Sequence, residues 1–336
     1  MRTATHQHYD VRLVESLVML NGAKRREASG PRIRDISRNM DRFYSEAQIL
    51  RFAQDDRGAG RCAADGHCAR RAFTLVEMLV VVTVLALLLA LLMPALAGAR
   101  SQARAIVCRS NVHQLVLAAT GYAAENDGFY VPAAKDMWDN AGRCRWHGVR
   151  RSLSEPFDPT KGPLAGYLAD GQVKECPARV TFVKSSDWSS SFEQGCGGYG
   201  YNMAYIGSRL WDTAMTGPLA FQQAYARTTS IHEVANPGGT LMFADTAMAN
   251  SGDSLIEYSF AEPPFAVMGG QVITDFRMSP SIHFRHGDHA NVGWADSHVG
   301  PEPMANTDSA NAYGVQSSGL KLGWFEPVDN TPFDLR

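Results

Sequence analysis

The sequence has little excess charge of either sign: 32 Lys and Arg stand against 34 Asp and Glu among 336 residues, a formal balance of −2. At the level of the whole chain this excludes the strongly basic class that binds nucleic acid electrostatically. Recognisable catalytic apparatus is also missing. No G-x-S-x-G elbow, H-E-x-x-H helix or Walker phosphate loop occurs, so no enzyme class is indicated. No acidic stretch has EF-hand spacing, and no internal repeat is evident. Cysteine is scarce, with six residues, and no two of them have the two- to four-residue spacing of a zinc finger. Cys62 and Cys68, with His67 between them, match no common metal pattern. Long apolar runs are absent as well, with one exception.

The exception is residues 73–97, a nearly unbroken apolar run with Glu77 as its one charge and Arg70-Arg71 just before it. At ~1.5 Å per residue, about 25 helical residues cover ~37 Å, enough to cross the ~30 Å hydrocarbon core of a bilayer. An ionised carboxylate inside such a helix costs roughly 3 kcal/mol on insertion scales, so a plain anchor has no reason to keep Glu77. Charge is distributed unevenly about the run. Residues 1–72 carry 14 Lys and Arg against 9 Asp and Glu; the remaining 264 carry 18 against 25. By the positive-inside rule the N-terminus is expected in the cytoplasm and the C-terminal body outside, as a single-pass inner-membrane protein.

The residues Ala72-Phe73-Thr74-Leu75-Val76-Glu77 resemble the processing site of type IV prepilins and type II secretion pseudopilins. The resemblance implies cleavage by a prepilin peptidase after Ala72, which stands where those families usually have Gly, and N-methylation of Phe73. It makes Glu77 the fifth mature residue and places Pro94 at the twenty-second, where pilin helices usually carry a proline. It also implies that Glu77 neutralises the N-terminal amine of a neighbouring subunit as helices assemble, which explains a carboxylate in an apolar run. Residues 1–72 are then a basic leader, a cytoplasmic arm, or an extension ahead of a true translation start at Met40 or near Arg70, and are set aside from fold reasoning.

Beyond residue 97 a helical pattern continues with a changed face: Ala99, Ala103, Val107, Leu115, Leu117, Ala118 and Tyr122 recur at roughly helical spacing. The Glu125-Asn126-Asp127-Gly128 cluster, followed by Pro132, is its expected stop, and Pro94 is expected to kink it. From Phe129 onward, short apolar and aromatic stretches are cut by Gly, Pro, Asn and Asp. Gly198 to Asn202, Thr240 to Asp245 and Asn291 to Asp296 read as strands. The expected fold is α+β: a long N-terminal helix, first transmembrane and then amphipathic, packed on an antiparallel sheet in a pilin-like arrangement. The segments are 1–72 (leader or extension), 73–97 (membrane and assembly helix), 98–125 (helix continuation) and 126–336 (periplasmic β-rich body).

The body is similar to that of large prepilin-like proteins abundant in planctomycete-type bacteria. The matching features are Cys108-Arg109-Ser110-Asn111 with Gln114 and Tyr122, Asn126 to Pro132, Cys176-Pro177, Tyr199 to Asn202, and His286 followed ten positions later by Asp296. Ser297 replaces the Gly that ends the family's His-(nine residues)-Asp-Gly motif. This resemblance implies architecture more than activity.

His283, His286, Asp288, His289, Asp296 and His298 lie close in sequence. One reading is a divalent metal site using His283, His286, Asp296 and His298. The other is a β-hairpin in which Asp296-Ser297 forms the turn and Asp296 bonds the backbone. Asp245, Asp253 and Asp275 are oxygen ligands available for calcium, although Asp245 reads more simply as a strand-end turn former. Cys108, Cys144, Cys176 and Cys196 are disulfide candidates in an exported body, with three possible pairings, of which Cys176 with Cys196 closes the shortest loop. Gly195 to Gly198 around Cys196 reads as a turn beside a disulfide in preference to a nucleophile loop.

Two functions compete. The first is a pilin-like or pseudopilin-like structural subunit, not an enzyme, without a cofactor and without nucleic acid. Its partners are the prepilin peptidase and other pilin-like subunits, engaged through the N-terminal helix. The alternative is a monomeric membrane-anchored periplasmic module with a pocket or metal near His286, Asp296 and His298.

Overall fold

The structure, a computed structural model, describes residues 74–137, 142–153, 155–178, 180–183, 193–214, 219–250, 254–307 and 314–336. They fall into two units divided between Thr83 and Val84.

Helix α1 runs over Leu75–Glu125, 51 residues, with Pro94 inside it. Its start is set by a capping box. Thr74 Oγ1 accepts from the Glu77 backbone N–H at 3.2 Å, and Glu77 Oε2 accepts from the Thr74 N–H at 2.8 Å. Its end falls at the predicted stop: the Gly128 N–H bonds back to Ala123 O at 2.9 Å, with Asp127 and Gly128 at φ of 52° and 82°. That left-handed pair satisfies carbonyls the helix leaves open.

The two halves of α1 bury differently. Every residue from Leu75 to Ala103 is exposed, whereas Cys108, Asn111, Val112, Leu115, Val116, Ala118, Ala119 and Ala123 are buried. The expected face is met in part: Leu115 and Ala118 are buried and Tyr122 is half-buried. Val107 and Leu117, assigned to the apolar face, are 50% and 48% exposed, and Cys108 and Val116 take the inward positions. On the inward face Val112 and Val116 pack directly over Gly293 of the sheet.

That sheet has the order β11-β10-β4-β3, from β3 (Tyr199–Tyr201), β4 (Leu241–Asp245), β10 (His289–Trp294) and β11 (Val299–Pro303), all antiparallel. All three segments read as strands from the sequence are neighbours in it. Shorter antiparallel pairs surround it: β1 (Cys144–Arg145) with β2 (Gly148–Val149), β5 (Met248–Asn250) with β6 (Ser254–Ile256), β7 (Phe265–Met268) with β8 (Gln271–Arg277), and β9 (Ile282–His283) with β12 (Leu322–Gly323). A short helix, α2, spans Ala220–Ala226.

β4 is buried at all five positions, as a central strand covered on both faces must be. Trp146, Tyr201 and Phe243 form an aromatic group in the core, with Phe243 5.0 Å from Trp146 and 4.7 Å from Tyr201 between ring centroids. The C-terminal segment closes the far end of β4, where the Leu241 N–H donates to Pro332 O at 2.7 Å and Asn202 Nδ2 donates to Leu241 O and Phe333 O. Arg145 and Glu193, both buried, pair at 2.9 Å.

Two predictions come from this packing. A Cβ at Gly293 would lie 2.7 Å from Val116 Cγ2 and 2.8 Å from Val112 Cγ1, closer than two carbons can approach. Gly293→Ala should destabilise the protein by about 1–3 kcal/mol through overpacking, read as a lower denaturation midpoint. The second concerns Glu262, which burial pushes up to about 7 while the Tyr258 hydroxyl donates to its Oε1 at 2.7 Å. A raised carboxyl favours the folded state below its unfolded pKa, and that contribution is lost as pH rises through about 7. Glu262→Gln keeps the acceptor and removes the titration. The stability of the variant relative to wild type should therefore rise by about 2 kcal/mol between pH 5 and pH 8. Thermal unfolding of both chains at the two pH values checks it.

Candidate functional site

Two features stand out chemically, one in each unit. In the first, Glu77 Oε2 accepts from both the backbone N–H and the hydroxyl of Thr74, each at 2.8 Å. The carboxylate that looked unpartnered in an apolar run therefore has a local partner, and its place in the first turn suits the positive end of the helix dipole. The capping-box signal, Thr followed three residues later by Glu, was present in the sequence. Ala72 and Phe73, the proposed cleavage and methylation residues, lie outside the described residues. Pro94 is an exposed helical position. From Leu75 to Leu96 the large apolar side chains are 49–81% exposed, all round the helix. α1 is long and apolar enough to cross a membrane.

In the second unit, Cys108, Cys176, Asp245 and His286 bring one ligand-type atom each to within 4.8 Å of one another. They come from α1, a loop, the last residue of β4 and the turn before β10. Cys108 Sγ donates to Asp245 Oδ1 at 3.1 Å, and its sulfur is 3.3 Å from Cys176 Sγ. His286 Nε2 lies 3.5 Å from Cys176 Sγ and 3.4 Å from Asp245 Oδ2. The Asn291 N–H donates to Asp245 Oδ2 at 2.8 Å, and Arg285 Nε is 3.8 Å from Asp245 Oδ1.

This arrangement sets the protonation of its members. A hydrogen bond with Cys108, aided by His286 and Arg285 and opposed by burial, pulls the Cys176 thiol down to about 5. Burial pushes the Cys108 thiol up. Burial works against charge on His286, but hydrogen bonds to Asp245 and Cys176 hold it at about 9. Burial likewise opposes ionisation of Asp245, and Arg285 and His286 overcome it.

The expected metal set is not assembled as read from the sequence. Among the described residues, His283, Asp296 and His298 join no such group. His283 is buried on β9, and burial holds its pKa well below the ordinary value. Asp296 and His298 form the hairpin turn between β10 and β11: Asp296 Oδ1 accepts from the His298 N–H at 3.0 Å and contacts its Nδ1 at 2.6 Å, while Ser297 adopts φ of 78°. Only His286 of the four belongs to the buried cluster. Asp245 is not a turn former but a fully buried acceptor. Asp275 is exposed on β8, and Asp253 lies outside the described residues.

All four body cysteines are free thiols. Cys176 sits against Cys108 and not against Cys196, the partner favoured by loop length. Cys196 is buried in its glycine-rich turn, where the N–H groups of Gly195 and Gly197 donate to Glu257 at 2.9 Å. Burial pushes the Cys196 thiol far up, which is unsuited to a nucleophile. Reasoning from spacing missed the cluster because its members are far apart in the chain. A signal existed: Cys108, Cys176 and His286 each open one of the short motifs singled out in the sequence, Cys108 to Asn111, Cys176-Pro177 and His286 to Asp296.

The segment 68–93 matches the family model described as the prokaryotic N-terminal methylation motif. No curated protein and no solved structure matches the chain.

Proposed function

We propose that this chain is a pilin-like or pseudopilin-like structural subunit of a type II secretion or type IV pilus-like system. A prepilin peptidase cleaves it after Ala72, Phe73 is methylated, and the mature chain sits in the inner membrane with its body in the periplasm. It assembles with other pilin-like subunits through the N-terminal part of α1. The observation that carries this reading is the methylation-motif match at 68–93, which spans the Ala72-Phe73 junction and Glu77. The exposure of the apolar side chains all round Leu75–Leu96 supports it. A helix apolar on every side needs lipid or like helices around it, and a filament core supplies the second after the first.

The capping box bears on what Glu77 does in that scheme. Thr74 remains after cleavage as the second mature residue, so the carboxylate keeps its local acceptor role while the new amine forms on Phe73, four positions before Glu77. Two functions for Glu77 can then be separated. Glu77→Gln retains the cap but not the charge; Glu77→Ala loses both.

Mass spectrometry of the mature chain should find methylated Phe73 as its first residue; an intact Ala72–Phe73 bond in cells with an active peptidase would overturn the proposal. If the charge pairs with a neighbouring amine, both Glu77 variants should insert into the membrane and cross-link into filaments at least tenfold less than wild type. Assembly of Glu77→Gln at the wild-type level would reduce Glu77 to a helix cap.

A further inference from the structure

We propose that Cys108, Cys176, Asp245 and His286 form a structural zinc site that ties four segments of the body together. Structural zinc takes four protein ligands in a tetrahedron, with zinc about 2.3 Å from sulfur and about 2.0–2.1 Å from nitrogen or oxygen; neighbouring ligand atoms then stand roughly 3.3–3.8 Å apart. Here the sulfur–sulfur, sulfur–nitrogen, nitrogen–oxygen and sulfur–oxygen separations are 3.3, 3.5, 3.4 and 3.1 Å. The carboxylate faces both neighbours, Oδ2 toward His286 and Oδ1 toward Cys108, and one ligand atom from each of the four residues lies within 4.8 Å of the other three.

The donor set is of the kind zinc selects: two thiolates, one imidazole and one carboxylate. Its charge also closes. Two thiolates and a carboxylate around a divalent cation leave one negative charge, and the Arg285 guanidinium beside Asp245, its side chain 2% exposed, supplies one positive charge. Arg285 Nη2 is held by Gly198 O at 2.8 Å and Thr246 O at 2.6 Å, which fixes the cation in place. The ligands have orienting partners of their own. The Asn291 N–H holds Asp245 Oδ2, and the Tyr199 hydroxyl donates to Cys108 Sγ at 3.5 Å while accepting from Asn111 Nδ2 at 3.1 Å. Such outer contacts are what keep metal ligands in register. Cys108 and Asp245 are fully buried, Cys176 is half-buried and the His286 side chain is 5% exposed, and four protein ligands are the complement of a structural zinc.

The rival use of the two sulfurs is a disulfide between Cys108 and Cys176. That bond would remove the Cys108 Sγ–H that Asp245 Oδ1 now accepts, leaving this oxygen with only Arg285 Nε at 3.8 Å, beyond hydrogen-bond reach.

Full-length protein purified in detergent, without added metal, should carry zinc at close to one per chain by elemental mass spectrometry. Cys176→Ser and His286→Ala should each lower that ratio at least fivefold, while Cys144→Ser, outside the cluster, should leave it unchanged. Because a ligand variant can fail to fold, wild-type protein exchanged with cobalt(II) gives a second reading: a thiolate-to-cobalt charge-transfer band and tetrahedral ligand-field absorption. Three results would overturn the proposal: a metal-free chain with no cobalt spectrum, a Cys108–Cys176 disulfide in non-reducing peptide maps, or zinc retained equally by wild type and both ligand variants, which marks an adventitious ion only.

Discussion

The body is organised around a carboxylate with no access to water. Asp245 ends the most deeply covered strand of the sheet, and its charge has to be met from inside the fold. Four groups meet it: Cys108 from the helix, the Asn291 N–H from the neighbouring strand, and Arg285 and His286 from the turn that leads into that strand. Each contact also positions the element that makes it. The register of α1 against the sheet, the pairing of β10 with β4 and the course of the loop carrying Cys176 are all tied to one buried negative charge. Removing one member of such a group leaves the others buried and unbalanced, which is why buried charge clusters are costly to disturb piecemeal.

A second constraint acts along α1. A single helix has to be apolar on every side near its start and apolar on one face near its end. The first requirement is met by Leu, Val and Ala with no polar stripe, opened by the Thr74–Glu77 cap. The second is met by small and β-branched residues facing the sheet. Close approach there depends on Gly293, whose missing side chain leaves room for Val112 and Val116. Contact at that point fixes which residues of the helix turn inward, and so brings Cys108 to the end of β4.

Much of this was legible in the residues themselves. Apolar length marked the helix, Asn126-Asp127-Gly128 marked its end, and alternating aromatic stretches bounded by turn residues marked three strands that became neighbours in one sheet. The hairpin at Asp296-Ser297 was legible too, because an Asp followed by a residue held at positive φ is turn chemistry. The phase of the amphipathic half was legible only in part. Val107 and Cys108 are both apolar, and only the shape of the opposing sheet decides which is buried.

The sequence by itself determined the N-terminal signal: Arg70-Arg71, the Ala72-Phe73 pair, an apolar run and one carboxylate follow one another closely in the chain, where local order carries the information. The buried cluster was decided by tertiary structure alone. Cys108, Cys176, Asp245 and His286 are separated by up to 178 positions in the chain, and each has a plausible duller role when read in place: disulfide partner, strand-end turn or loop brace. Their meeting requires the helix to dock on β10 and the sheet to order as it does. Spacing along a chain cannot encode a convergence that packing creates.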